Sequence, residues 1–180
     1  MLWTADQVGR ITGGEVTKNF NISGVSIDTR ILKPNELFVA LTDKRDGHNF
    51  ILDAIEMGAS GALVSRVPRN LPTDFPLIIV EDVSRALTSL GEAGRLRING
   101  KVIAITGSVG KTSTKEMLKT ILSNQLKIHA SESSYNNHLG VPLTLANMPL
   151  DTQVAVVEIG MNHPGAVSYT HLTLPTKRIV

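Results

Sequence analysis

The 180-residue chain contains no cysteine. That excludes a disulfide scaffold and any metal site built on thiolates. It carries little net charge: 18 Lys and Arg stand against 16 Asp and Glu, for +2. No block of basic residues marks a nucleic-acid-binding face, so no nucleic-acid partner is expected. Long apolar runs are missing too, and nothing approaches the roughly eighteen consecutive apolar residues of a membrane span. The start, Met1-Leu2-Trp3-Thr4-Ala5-Asp6, lacks a basic segment followed by an apolar stretch, so no secretory leader is expected. A cytoplasmic protein is expected. There is no internal repeat or low-complexity segment.

What is present suits a folded core. Hydrophobic residues make up 42% of the chain, enough for a globular protein of one domain or two small ones. The most informative segment is Thr106-Gly107-Ser108-Val109-Gly110-Lys111-Thr112-Ser113, directly after the apolar run Val102-Ile103-Ala104-Ile105. A buried strand runs into a glycine turn, and a helix begins at the lysine. Such a turn aims backbone N–H groups and one ammonium at a single spot, which suits phosphate. Lys111 would reach the β- and γ-phosphates of a nucleotide, and the Thr112 hydroxyl would ligate Mg²⁺. The glycine of the longer phosphate-loop spacing is replaced by Ile105. The bland alternative is a strand-to-helix turn capped by Ser108 with a surface lysine.

Strand and helix signals alternate along the rest. Strands are expected at 24–28, 36–41, 61–65 and 76–80, with helices near 51–57 and at 83–96. Asn99-Gly100 ends the last of these and marks a domain boundary, giving domains at 1–98 and 99–166. The second unit continues with a helix whose apolar face carries Met117, Leu118, Ile121 and Leu122. A strand at 126–130, a polar loop at 131–140 and a helix at 143–147 with Pro142 in its first turn follow. Val154-Ala155-Val156-Val157 reads as a strand buried on both faces. The fold class is therefore α/β, with a mainly parallel sheet in the second unit.

Glu158 ends that last strand. An acid there reaches a magnesium ion held by a phosphate-loop threonine, or else is a solvated strand cap. Gly160 would leave room for a phosphate or metal. Asn136 and Asn137 offer paired amides to a ligand, or simply form a turn. His163 is a candidate ligand or an exposed loop histidine. Asp28, Thr29 and Arg30 follow a strand, as a surface ion pair or as a site for a nucleotide base or phosphate.

Taken together, these segments resemble the Mur ligases, an ATP-dependent, amide-forming family of peptidoglycan synthesis. Residues 106–113 match the family's short phosphate loop. Ser26-Ile27-Asp28-Thr29-Arg30, Leu37-Phe38-Val39-Ala40-Leu41, Asp46-Gly47-His48-Asn49-Phe50 and Gly58-Ala59 match its uridine-nucleotide-binding amino-terminal domain. Asn136-Asn137-His138-Leu139-Gly140-Val141-Pro142 and Glu158-Ile159-Gly160-Met161-Asn162-His163-Pro164-Gly165 resemble the branch that adds D-alanyl-D-alanine. The branch that adds the third residue typically carries Asn-Thr-Thr-Pro at the first of these places.

The resemblance implies UDP-N-acetylmuramoyl-tripeptide and D-alanyl-D-alanine as substrates, an acyl-phosphate intermediate, and ATP and Mg²⁺ as cofactors. It implies that Thr106, Gly107, Ser108, Val109, Gly110, Lys111, Thr112 and Ser113 hold ATP. Thr112 and Glu158 would hold the metal, with Lys111 and Glu158 catalytic. Ser26, Asp28, Thr29, Arg30, Asn136 and Asn137 would bind substrate, in a monomer. The family's carbamylated lysine, a further metal-binding histidine and the carboxyl-terminal domain lie downstream of the matched region, so this polypeptide is expected not to ligate alone. The branch that adds the third residue and a non-catalytic phosphate-loop module are the other readings, although no Asn-Lys-x-Asp motif of a switch protein follows Lys111. The stretch Val167–Thr176 resembles a translated transposon-end sequencing adaptor, so residues 167–180 are expected to be non-native, and neither His171 nor Lys177 is given a role.

Overall fold

A computed structural model describes residues 1–43, 45–131 and 135–160. The adaptor-like stretch, His163 and Ser134 lie outside the described residues. The chain divides into two compact units, Met1–Leu90 and Gly91–Val180.

The first unit opens with elements that hydrophobic patterning did not reveal: β1 (Trp3–Thr4), α1 (Ala5–Thr12), β2 (Glu15–Val16) and β3 (Asn21–Ile22). A reciprocal cap starts α1. The Thr4 hydroxyl accepts from the Gln7 backbone, and the Gln7 side chain accepts from the Thr4 backbone. The expected strands and helices then follow: β4 (Gly24–Ser26), β5 (Glu36–Val39), a 3₁₀ turn at Gly47–Phe50, α2 (Ile51–Glu56), β6 (Gly61–Val64), β7 (Leu77–Ile79) and α3 (Val83–Leu96). Their sheet runs β2-β7-β6-β5-β4, parallel except for the β2–β7 pair. Leu32, Phe38, Ala40, Ile51, Ala54, Ala62, Val64 and Leu77 form its core.

The second unit holds β8 (Lys101–Ile105), α4 (Lys111–Leu122), β9 (Ile128–Ala130), α5 (Gly140–Ala146) and β10 (Val154–Glu158). All three strands are parallel, in the order β8-β10-β9. β10 is central and buried along its whole length, as its apolar run required. Its residues Ala155 and Val157, with Ile159 just beyond its end, pack in the core shared with Val141 and Leu145 of α5. The alternate residues, Val156 and Glu158, therefore belong to the opposite face.

The unit division falls inside α3, ahead of the Asn99-Gly100 break read from the sequence. The cause is close packing within the second unit: a Cβ on Gly94 would lie 2.1 Å from the Leu145 carbonyl oxygen. The back half of α3 thus lies directly on α5. The expected apolar face of α4 is also corrected. Met117 and Ile121 are 63% and 61% exposed, whereas Lys115 is fully buried. Lys115, Leu118 and Leu122 form the inward stripe at helical spacing, and the Lys115 stem fills an apolar position.

Candidate functional site

The phosphate loop connects β8 to α4. Gly110 stands at the helix N-cap with φ 79°, a left-handed conformation that glycine adopts without strain. No side chain caps the helix, so Ser108 does not play the capping part that the bland reading required. The first N–H groups of α4 are left for another acceptor. Val109, at the tip of the loop, is 90% exposed. The Lys111 ammonium donates to the Gly107 carbonyl at 2.6 Å, folding back over the loop instead of extending into solvent.

Register sets the partner of this loop. In the parallel β8–β10 pair, Glu158 lies opposite Ile105, the last strand residue before the loop. The carboxylate is thereby delivered to the carboxyl end of the sheet, where open α/β sheets bind ligands. Glu158 is only 1% exposed. The Thr112 hydroxyl donates to its Oε2 at 3.0 Å, and Asn136 Nδ2 donates to its Oε1 at 2.8 Å. A buried carboxylate needs such donors, so the solvated-cap reading of Glu158 does not hold.

The two asparagines do different things. The Asn136 side-chain amide is engaged with Glu158, a partner that its reading as a substrate contact did not include. The Asn136 backbone carbonyl oxygen accepts from Gly160 N at 2.6 Å, so the space beside Gly160 is taken by Asn136. Asn137 Oδ1 accepts from Leu139 N at 3.2 Å and Gly140 N at 2.8 Å, the turn-forming reading, and leads into α5. Lys115 was not singled out as a site residue. Its ammonium donates to the Ser131 carbonyl at 2.9 Å, pinning the end of β9 to the phosphate-loop helix. Its only sequence signal is a position one turn after Lys111.

In the first unit, Ser26 is buried at the end of β4, and its hydroxyl donates to the Asp28 carbonyl at 3.0 Å. Arg30 Nε donates to Asp28 Oδ1 at 2.9 Å, and this pairing holds the Asp28 carboxyl below its ordinary value. The local ion pair is thus formed, with the Arg30 side chain 85% exposed and Thr29 in the turn between them. His48 sits nearby in sequence order but has a structural task. Ser65 N–H donates to His48 Nε2 at 3.0 Å, so the ring proton is on Nδ1 and is donated to Asp46 at 2.7 Å.

Among the described residues, no cluster of three or more His, Cys, Asp or Glu could hold a metal ion, and no helix is long and apolar enough to cross a membrane.

The Mur ligase middle domain matches residues 105–177. The UDP-N-acetylmuramoyl-tripeptide–D-alanyl-D-alanine ligase of Rickettsia prowazekii is 39% identical over 168 residues, covering 93% of this chain and 37% of that protein. Over most of its length the chain is similar to the Mur ligases. A ligase of the same name from Escherichia coli is 39% identical over 174 residues, covering 96% of this chain and 37% of that protein. A crystal structure of MurF from Acinetobacter baumannii superposes with a TM-score of 0.79 at 34% identity, covering 96% of this chain and 39% of that one. MurF from Thermotoga maritima, solved in complex with ADP, gives 0.67 at 29% identity, covering 84% of this chain and 35% of that one. The chain thus spans about 37% of the length of these curated Mur ligases.

Proposed function

We propose that this chain supplies the uridine-nucleotide-binding and phosphate-loop portions of an ATP-dependent ligase that joins D-alanyl-D-alanine to UDP-N-acetylmuramoyl-tripeptide in peptidoglycan precursor synthesis. The observation that carries the proposal is the convergence of the phosphate loop on Glu158 through the 3.0 Å Thr112 contact. Matches over most of this chain to ligases of that name support the choice of substrates.

The residues fit a magnesium ion. A carboxylate and a hydroxyl are hard oxygen donors, and magnesium usually takes one or two carboxylates, with phosphate oxygens and water completing its shell. Thr112 and Glu158 would hold it, and when bound it supplies positive charge against the phosphates. Lys111 would move from the Gly107 carbonyl to the β- and γ-phosphate oxygens. The N–H groups at the start of α4 and along residues 106–110 would cradle the remaining phosphate oxygens. Asn136 keeps one Glu158 oxygen engaged, so that the other faces Thr112.

The chemistry is stepwise. A terminal carboxylate oxygen of the tripeptide attacks the γ-phosphorus, and ADP leaves. The amine of D-alanyl-D-alanine then attacks the acyl carbon, phosphate leaves, and the nitrogen loses a proton to give the amide. Lys111 offsets charge that develops on the transferred group, and the remaining work is positioning. Ser26, Asp28, Thr29 and Arg30 would engage the uridine nucleotide, with the Asp28 pairing presenting the guanidinium.

Full-length protein incubated with ATP, UDP-N-acetylmuramoyl-tripeptide and D-alanyl-D-alanine should form the amide product, detected by mass spectrometry. Omission of any one component should abolish it. Product from the dipeptide precursor and a free diamino acid would instead assign the third-residue branch.

A further inference from the structure

We infer that Gly160 is a positioning residue for the phosphate site, because its missing side chain is the space in which Asn136 lies to reach Glu158. This rests on the phosphate-and-magnesium reading of that site. A Cβ built on Gly160 would stand 3.0 Å from the Asn136 carbonyl oxygen, 3.1 Å from its Oδ1 and 3.3 Å from its Cγ. Both the backbone and the side-chain amide of Asn136 would have to give way. The 2.6 Å hydrogen bond from Gly160 N to the Asn136 carbonyl holds the two residues at this separation.

Asn136 has little room to retreat. A Cβ on Gly140 would lie 2.6 Å from the Cα of Tyr135, so the preceding residue rests on the start of α5. Asn137 is tied to the same place by its 2.8 Å bond from Gly140 N. The segment 135–137 is therefore held between Gly140 on one side and Gly160 on the other. Pressure at Gly160 is transmitted to the 2.8 Å bond between Asn136 Nδ2 and Glu158 Oε1. Glu158 is buried, so a carboxylate that loses this donor turns toward its remaining partner, Thr112.

The substitution Gly160→Ala should thus act through Asn136 on magnesium. The readout is the ratio of ADP affinity in magnesium to ADP affinity in EDTA, measured by isothermal titration calorimetry on full-length protein. Weakening one hydrogen bond to the carboxylate should lower the ratio roughly three- to tenfold. Affinity in EDTA should be unchanged. Asn136→Ala should lower the ratio similarly, and Gly160→Ala should add nothing in the Asn136→Ala background. A Gly160→Ala protein that keeps the wild-type ratio would overturn the inference. So would losses that multiply in the double variant, or a Gly160→Ala chain that no longer folds by circular dichroism, since either would give the glycine a task independent of Asn136. A wild-type ratio of one would instead overturn the magnesium site itself, and the inference with it.

Discussion

The Thr112 hydroxyl lies 3.0 Å from Oε2 of Glu158, joining the first turn of α4 to the end of β10 across 46 positions of sequence. Strand register creates this contact, because β10 ends level with the last residue of β8. Removing the charge of Glu158 while keeping its shape tests what the contact is for. Glu158→Gln should lower kcat about 10²- to 10³-fold, the size of a lost electrostatic contact to the transition state. Binding of UDP-N-acetylmuramoyl-tripeptide, followed by calorimetry, should be unaffected.

Lys111 should behave as a charge acting on the transferred phosphoryl group. Lys111→Ala should cost about 2.7–4 kcal/mol of transition-state stabilisation, read as kcat in steady-state phosphate release. The fold should be preserved, since the ammonium's described contact is the Gly107 carbonyl of its own loop. Near-normal ligation would remove Lys111 from the mechanism.

Acid should probe the first unit through Asp46, whose carboxyl is lowered to about 2, first by its hydrogen bond from Arg66 and then by those from His48. The folded-state value is depressed below the ordinary 3.8, so the contribution to stability is fully present above that value. It is lost as pH falls through about 2. In urea titrations, the stability difference between wild type and Asp46→Asn should be flat at neutral pH and shrink between about pH 4 and pH 2. Because the Asp46–Arg66 pair is partly exposed, added salt should reduce the difference.

His48 offers a second test of that region. It is 5% exposed and bridges Asp46 to the Ser65 backbone. His48→Leu leaves the Ser65 N–H without this acceptor and should destabilise the protein by about 1–3 kcal/mol in urea unfolding. Retained stability would show that water replaces the ring at little cost.

Legibility in the sequence followed physical range. The run Val154–Val157 announced a strand buried on both faces, and Gly110-Lys111-Thr112 announced a loop entering a helix; both are dictated locally. α1 escaped notice because its signal is polar, the Thr4–Gln7 reciprocal cap, in a helix of only eight residues. The inward face of α4 was misread because apolar spacing favoured Met117 and Ile121. Tertiary packing instead buries the Lys115 stem and satisfies its ammonium at Ser131. That Asn136 donates to Glu158 could not be read from sequence. The two residues lie 22 positions apart, and only the parallel pairing of β10 with its neighbours brings them together.

The central claim is that this phosphate loop serves activation of a carboxylate as an acyl phosphate, and oxygen labelling tests it most directly. UDP-N-acetylmuramoyl-tripeptide carrying ¹⁸O in both oxygens of its terminal carboxylate would be converted by full-length protein with ATP and D-alanyl-D-alanine. The attacking carboxylate oxygen becomes the bridge to phosphorus and leaves with it when the amine attacks carbon. Mass spectrometry of the inorganic phosphate should therefore find one ¹⁸O per phosphate released, with the other retained in the amide. Phosphate free of label, alongside product that forms at the normal rate, would contradict the account.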